Sequence, residues 1–261
     1  MGDSPRGYEE RGYRGLQTAG DLVSFEVRVK ETDLYIRAER DLSEAALDSV
    51  LRCRRQLENY ILGHASFFHS LEPLEDDAFA PPVVRAMLRA GIRAGVGPMA
   101  AVAGAVADCV GADLLKDSEQ VIVENGGDIF LRTSGETKIA IYAGDSPLSF
   151  RIGIRIPPLP GSRGVCTSSA TVGPSLSFGR ADAATVMAGS AALADAAATA
   201  VGNAVRSPSD LEAALERARS IEGVTGAVIV LGPKLAVWGQ VELIKIDTGI
   251  DPGPDSRGRP N

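Results

Sequence analysis

The stretch from residue 98 to about residue 113 constrains the fold most, because it is apolar on nearly every side. It begins Pro-Met-Ala-Ala-Val-Ala-Gly-Ala-Val-Ala, and its first charged residue is Asp108. A helix that is hydrophobic all round cannot lie on a protein surface and must be surrounded by other elements. We therefore expect this segment to form a helix that passes through the middle of the domain.

The remaining patterns separate into hairpins of strands and blocks of helices. Alternating residues at 22–29 and 34–38 predict a first hairpin, and short apolar runs predict further strands within 121–156 and 227–246. A further short strand is expected near residues 185–188. The other predicted helices are, in chain order, about 41–62, 83–91, 191–205 and 210–220. Strands in hairpins with helices in blocks favour an α+β fold, with mixed or antiparallel sheets packed on helices, over a parallel doubly wound sheet.

Composition sets the domain limits and excludes some partners. We predict one domain over residues 21–246, with flexible tails at 1–20 and 247–261 that carry too little apolar surface to offset the cost of ordering. The net charge of -7 disfavours nucleic-acid and anionic-membrane partners, although it allows a local positive pocket for one nucleotide. No long apolar run and no disulfide framework is evident, so we expect a cytoplasmic protein.

A Gly-Gly turn follows the short apolar run at 121–123. The sequence there reads Glu124-Asn125-Gly126-Gly127-Asp128. Adjacent glycines permit positive φ and let backbone N–H groups approach a ligand, while the Asn and Asp side chains supply polar atoms. A tight turn without a ligand explains the same residues equally well.

A hydroxyl-rich segment lies in the middle of the chain. Cys166 is followed by Thr167, Ser168 and Ser169, which we expect to form a loop able to hold phosphate or ribose oxygens. The alternative is a plain surface loop. Cys166 could act as a nucleophile or sulfur carrier, although a cysteine of this kind is more often a small buried apolar residue.

The helix predicted at 191–205 carries Asp195 and Thr199 among alanines. Residues four apart share one helix face, so a carboxylate and a hydroxyl are presented together. Both are hard oxygen donors that suit Mg²⁺. A cation, a backbone amide or an arginine could each stabilise the carboxylate. Four arginines flank these segments and are candidates for contacts with an anion: Arg151, Arg155, Arg163 and Arg180.

In this order, the three segments resemble the ApbE-like flavin-transferase superfamily, and residues 96–104 and 177–183 are similar to an uncharacterised branch of it. The resemblance covers residues 22–246 and implies an ApbE-like fold. It also implies that Asp195 and Thr199 bind Mg²⁺. The residues it places beside FAD or FMN, or a related nucleotide, are Asn125, Gly126, Gly127, Asp128, Thr167, Ser168 and, with them, Ser169.

One departure bears on the reaction. The flavin transferases carry a His-rich stretch between the Thr-Ser segment and the Asp-Thr helix, whereas residues 173–182 contain no histidine. The usual group for proton transfer near neutral pH is therefore missing, and we expect nucleotide binding rather than flavin transfer. Cys166 and Asp182 are the candidate catalytic residues. Two other hypotheses stay open: a thiol-dependent role of Cys166 in sulfur assimilation, and a non-catalytic homo-oligomeric assembly protein.

Overall fold

A large antiparallel sheet organises the fold. The computed structural model describes residues 22–158, 160–169 and 179–246, so the tails predicted at 1–20 and 247–261 lie outside the described residues. The strands of the described part are, in chain order, β1 Val23–Val29, β2 Thr32–Ala38, β3 Val121–Asn125, β4 Asp128–Arg132, β5 Thr137–Ala140, β6 Ile152–Ile156, β7 Arg163–Ser168, β8 Ala183–Ala188, β9 Val224–Leu231, β10 Lys234–Gly239 and β11 Glu242–Lys245. Eight of them form one sheet in the order β1-β2-β3-β4-β7-β8-β9-β10, and every neighbouring pair is antiparallel.

Helices cover one face of this sheet. They are α1 Ser43–Gly63, α2 Ala65–His69, α3 Pro82–Ala94, α4 Val102–Leu114, α5 Ala191–Ala204 and α6 Leu211–Ser220, with short 3-10 turns at Pro98–Ala101 and Pro208–Asp210. The helices and the sheet face beneath them share the larger hydrophobic core. Strands in hairpins and helices packed on one face confirm the predicted α+β class and its single domain.

A three-stranded sheet covers the other face. Its order is β11-β6-β5, again antiparallel. A second hydrophobic core lies between the two sheets, and alternate residues of the large sheet point to opposite cores. Val121 and Val123 of β3 lie in the core under the helices, whereas Ile122 lies in the core under the small sheet. Because both faces are covered, the first three residues of β3, 121–123, are all apolar rather than alternating with polar residues.

The apolar helix lies in the interior, as the sequence predicted. It begins as the 3-10 turn at Pro98–Ala101 and continues as α4, which packs on α1, α5, β3 and β4. Two glycines make these contacts possible. A Cβ at Gly104 would lie 2.2 Å from the carbonyl oxygen of Ala191, and one at Gly111 would lie 2.2 Å from the ring of Phe130. The helix therefore needs small residues at the positions where α5 and β4 cross it.

Two local predictions were wrong. The Cys166–Ser168 segment is the end of β7 rather than a loop, because β7 pairs with β4 on one side and β8 on the other. The short helix α2 was also missed, since five residues carry too little periodicity to recognise. Within the described residues no single helix is long and apolar enough to cross a membrane. The two helical segments Pro82–Ala94 and Pro98–Leu114, which meet at a bend of 106°, are long and apolar enough only when taken together.

Candidate functional site

The Gly-Gly turn connects β3 to β4 through two residues. Gly126 has φ of 69° and Gly127 has φ of 102°, and open space surrounds the position of a Cβ at either residue. Glycine is therefore required by backbone conformation, as in two-residue hairpins whose central residues both have positive φ. The Gly127 N–H donates to Glu124 Oε1 at 2.8 Å, so a fully buried carboxylate fixes the turn.

Asn125 and Asp128 face each other across this hairpin. Asn125 Nδ2 donates to the carbonyl oxygen of Ala103 at 3.0 Å, which ties the turn to the first residues of α4. Asp128 is only 8% exposed, and its Oδ1 has no hydrogen-bond partner among the described residues. A buried carboxylate oxygen without a donor is costly, so this atom is the part of the motif that calls for a ligand or a proton.

The hydroxyl-rich segment meets Asp128 directly. The Cys166 thiol and the Thr167 N–H lie near the Asp128 carboxyl, and both lower its pKa against the larger raising effect of burial. Thr167 Oγ1 pairs with Thr185 Oγ1 at 2.9 Å across β7 and β8. Ser168 lies against α5, because its Oγ would be 3.6 Å from a Cβ placed at Gly202. The strand pairing therefore brings the second sequence motif beside the first. Ser169, the last residue of the motif, follows β7 and is half-buried.

Polar residues form one stripe along the otherwise buried helix α5. Ten of its 14 residues are buried, and the partly exposed ones include Asp195, Thr199 and Asn203, each four residues from the next. Residues at this spacing share one helix face. The predicted pair, Asp195 and Thr199, therefore lies on the side of α5 that is partly exposed among the described residues.

Asp195 also holds the start of α4. Its Oδ2 accepts the N–H of Gly104 at 2.9 Å, and the N–H of Ala103 donates to the same carboxyl. Burial raises the pKa of Asp195 to about 7 against the lowering effect of these two donors. Burial likewise raises the pKa of Asp128 well above its usual range, and the nearby Asp195 carboxyl raises it further.

A third acid, Asp108, completes the group and was not among the predicted site residues. Its two oxygens accept the N–H groups of Ala191 and Ala192, at 2.8 and 2.9 Å, at the first turn of α5. Burial raises the pKa of Asp108 to about 6 against these two donors. The available signal in the sequence was that Asp108 is the first charged residue in an otherwise apolar run. We call Asp108, Asp128 and Asp195 the carboxylate cluster.

Cys166 is packed beside the carboxylate cluster. It is fully buried, and its Sγ is 3.2 Å from the carbonyl oxygen of Ala191. Burial raises the pKa of the Cys166 thiol well above its usual range, and the carboxyls of Asp128 and Asp195 raise it further. Thiolate formation is therefore disfavoured at this position, so this environment does not favour the thiol-based hypothesis.

Asp182 lies in a different environment. Its Oδ2 accepts the Gly232 N–H at 2.6 Å, and its own N–H donates to the carbonyl oxygen of Val230 at 2.9 Å. These contacts join the start of β8 to the β9–β10 turn. No contact between described residues links Asp182 to the carboxylate cluster, so the fold does not bring the two candidate catalytic residues together.

The donor atoms of the cluster suit Mg²⁺ better than a transition metal. Among the residues that the structure describes, no group of three His, Cys, Asp and Glu side chains could hold a metal ion. Mg²⁺, however, is commonly bound through one or two carboxylates together with phosphate oxygens of a ligand. The unpartnered Oδ1 of Asp128, the Asp195 carboxyl and the Thr199 hydroxyl fit that pattern.

Comparison with known proteins gives the family. A family model described as "AbpE bacteria" matches residues 14–243. The chain belongs to this family. It is 43% identical over 219 residues to a UPF0280 protein of Methanocella arvoryzae, covering 83% of this chain and 89% of that protein. It is also 42% identical over 232 residues to UPF0280 protein MJ1526 of Methanocaldococcus jannaschii, covering 86% and 94%.

Solved structures confirm that this AbpE family member has the ApbE fold. The flavin transferase ApbE from Vibrio cholerae superposes with a TM-score of 0.52 at 14% identity, covering 84% of this chain and 97% of that one. The apo flavinyl transferase ApbE from Pseudomonas stutzeri gives a TM-score of 0.54 at 14% identity, covering 84% and 94%. The predicted membership in an ApbE-like branch is therefore confirmed.

Proposed function

We propose that this protein binds a flavin or a closely related nucleotide together with Mg²⁺ at the open side of α5. Asp128, Asp195 and Thr199 are the residues that would hold the cation. Mg²⁺ bound there would balance the negative charges of the two neighbouring carboxylates and would bind phosphate oxygens of the nucleotide. The proposed nucleotide contacts are the Gly126–Gly127 turn and the Thr167–Ser169 segment.

The observation that carries this proposal is the unpartnered Oδ1 of Asp128. The atom is buried, lies near the partly exposed Asp195 carboxyl, and has no hydrogen-bond donor among the described residues. Proteins rarely bury such groups without a partner that satisfies them. The fold is shared with proteins named flavin transferases, which makes a flavin nucleotide the first ligand to test.

Binding is favoured over flavin transfer. The two histidines of the chain, His64 and His69, lie at the end of α1 and in α2, where the His64 ring stacks on Tyr60 with centroids 3.9 Å apart. No described contact joins either histidine to the carboxylate cluster. The cluster therefore has acids that can bind a cation, but its contacts include no imidazole to move a proton near neutral pH.

Thermal unfolding of the purified chain tests this proposal. Millimolar FAD or FMN with Mg²⁺ should raise the melting temperature by about 5–10 °C, because ligand at roughly 100 times its Kd contributes about 2.7 kcal/mol. Chelation of Mg²⁺ should remove the shift. If no flavin or adenine nucleotide moves the melting temperature with Mg²⁺ present, the proposal is wrong.

Variants of the cluster sharpen this test. Asp195→Asn keeps an oxygen for the Gly104 N–H but removes the charge, and Thr199→Val removes the hydroxyl at nearly constant volume. Each should reduce the ligand-induced shift to less than half. Asp145→Asn is the matched control, since Asp145 is exposed in the loop between β5 and β6 and makes none of the site contacts. Equal responses from the control and Asp195→Asn would contradict the assignment.

A further inference from the structure

A surface cavity lies beyond the C-terminal end of α5, away from the carboxylate cluster. It is a cleft of about 670 Å³ between three short segments: residues 179–182 before β8, residues 206–208 after α5, and the β9–β10 turn at 231–234. A Cβ at Gly179 would lie 1.9 Å from the carbonyl oxygen of Gly202, so the cleft begins at the last turn of α5. Asp195 lies seven residues earlier, about 10 Å along the helix.

Each wall of this cleft contributes a cation. Arg180, Arg206 and Lys234 line it, and Asp182 is the one acid among the lining residues, which gives three positive charges against one negative charge and a net charge of +2. We call Arg180, Arg206 and Lys234 the basic cleft. This local excess contrasts with the net charge of -7 for the whole chain.

The three cations form no ion pair with the neighbouring described acids, although the backbone N–H of Arg206 and, to a smaller extent, its charge lower the pKa of Asp210. Among the described residues, no ion pair or side-chain hydrogen bond involves Arg180, Arg206 or Lys234. The Asp182 carboxylate is occupied by the Gly232 N–H at 2.6 Å. Asp210, the nearest acid on the wall after α5, accepts the N–H groups of Arg206 and Ser207, at 3.0 and 2.8 Å. Asp182 and Asp210 therefore accept hydrogen bonds from backbone N–H groups of the segments that frame the cleft.

The frame of the basic cleft is fixed by backbone hydrogen bonds. The Arg180 N–H donates to the Val205 carbonyl at 2.7 Å, which joins the first wall to the second. Asp182 joins the first wall to the third through Val230 and Gly232, as described above. Ser146 Oγ donates to the Gly232 carbonyl at 2.6 Å and holds the third wall from outside. Three exposed cationic side chains therefore extend from segments whose backbone is anchored.

We propose that the basic cleft binds the phosphate groups of a small phosphorylated molecule. Two guanidinium groups can each contact phosphate oxygens through paired N–H donors, and the ammonium of Lys234 adds a point charge. The cleft volume falls within the range of small-molecule sites. This inference is independent of the flavin proposal, because its residues are separate from the carboxylate cluster.

Calorimetric titration with inorganic pyrophosphate and with ADP, in low salt and with EDTA, tests the basic cleft. EDTA removes divalent cations, so binding cannot proceed through metal at the carboxylate cluster. Both probes should bind the wild-type chain, adenosine should not, and affinity should fall as salt rises. Arg180→Ala with Arg206→Ala, and Arg206→Ala with Lys234→Ala, should each weaken binding at least 10-fold.

The matched control is Arg132→Ala with Lys245→Ala, which removes the same charges from exposed positions on β4 and β11 outside the cleft. It should change affinity less than 2-fold. Equal weakening in the control and cleft variants, adenosine binding as strong as ADP binding, or no binding to the wild-type chain would each overturn the proposal. Melting temperatures of all variants verify that they are folded.

Discussion

The carboxylate cluster and the basic cleft lie at opposite ends of α5 and differ in how they are built. The cluster is part of the core, and its acids accept N–H groups at the starts of α4 and α5. The cleft lies on surface segments, and its cations extend from an anchored frame without partners among the described residues. Changes in the cluster should therefore disturb folding and ligand binding together, whereas changes in the cleft should disturb binding alone.

The largest effect is expected where the cluster depends on close backbone contact. Gly104→Val would place side-chain atoms against the Ala191 carbonyl, 2.2 Å from the position of a Cβ. Because both sides of this contact are backbone, the free energy of unfolding should fall by roughly 3–5 kcal/mol. Chemical denaturation measures it. Gly63→Ala, at the end of α1 where a Cβ meets open space, should be neutral or stabilising by up to about 1 kcal/mol.

Asp108 should give the cluster a pH dependence that the cleft lacks. The folded state keeps this carboxyl protonated to about pH 6, whereas its ordinary pKa is 3.8. The folded state therefore binds the extra proton, and this contribution to the free energy of unfolding falls as pH rises from about 4 to 6, by at most about 3 kcal/mol. Denaturation at several pH values should show that Asp108→Asn removes this slope.

Asp113→Asn in the same helix is the control for that measurement. Burial raises the pKa of Asp113, but the hydrogen bonds from Lys116 and Ser49, together with the positive charges of Arg52 and Lys116, bring it below its ordinary value. Its contribution therefore runs the other way, with stability lost as pH falls through the lowered pKa. Identical slopes for wild type and Asp108→Asn would show that the Asp108 carboxyl is not held protonated by burial.

A smaller effect of opposite sign is expected at Asp128. Asp128→Asn removes a buried carboxyl that lies next to another and has an unpartnered oxygen. Without metal at pH 8, the free energy of unfolding should rise by about 1–2 kcal/mol, which raises the melting temperature by about 2–8 °C. The same variant should lose its response to Mg²⁺. A destabilised variant that still responds to Mg²⁺ would argue for a purely structural role.

The smallest effect is expected in the basic cleft. Arg206→Ala removes an exposed cation that makes no described side-chain contact, so the free energy of unfolding should change by less than about 0.5 kcal/mol. Chemical denaturation of the variant beside wild type checks this. A loss as large as that of a core substitution would mean that the cleft is part of the folding core, and the contrast between the two regions would fail.

Local chemistry made much of the cluster predictable from the sequence. The positive φ of Gly126 and Gly127, the central position of α4 and the shared face of Asp195 and Thr199 all follow from residue type and spacing. Asp108 was missed because its role depends on where α5 begins, which spacing along α4 does not reveal. The basic cleft was missed as a unit because its cations come from three segments that only tertiary pairing brings together. Of the three cleft cations, only Arg180 is among the four arginines that the sequence indicates for an anion contact. Arg155, another of those four, pairs with Glu242 at 3.2 Å.

The alanine-rich helix α5 also limits how this protein can diversify. Most of its side chains are too short to be trimmed and too enclosed to be enlarged, because ten of its 14 residues are buried among the helices and strands that pack on it. New ligand preferences should therefore arise mainly in the largely exposed residues 206–209 after the helix. Selection acting on this scaffold should keep α5 nearly constant while that segment varies.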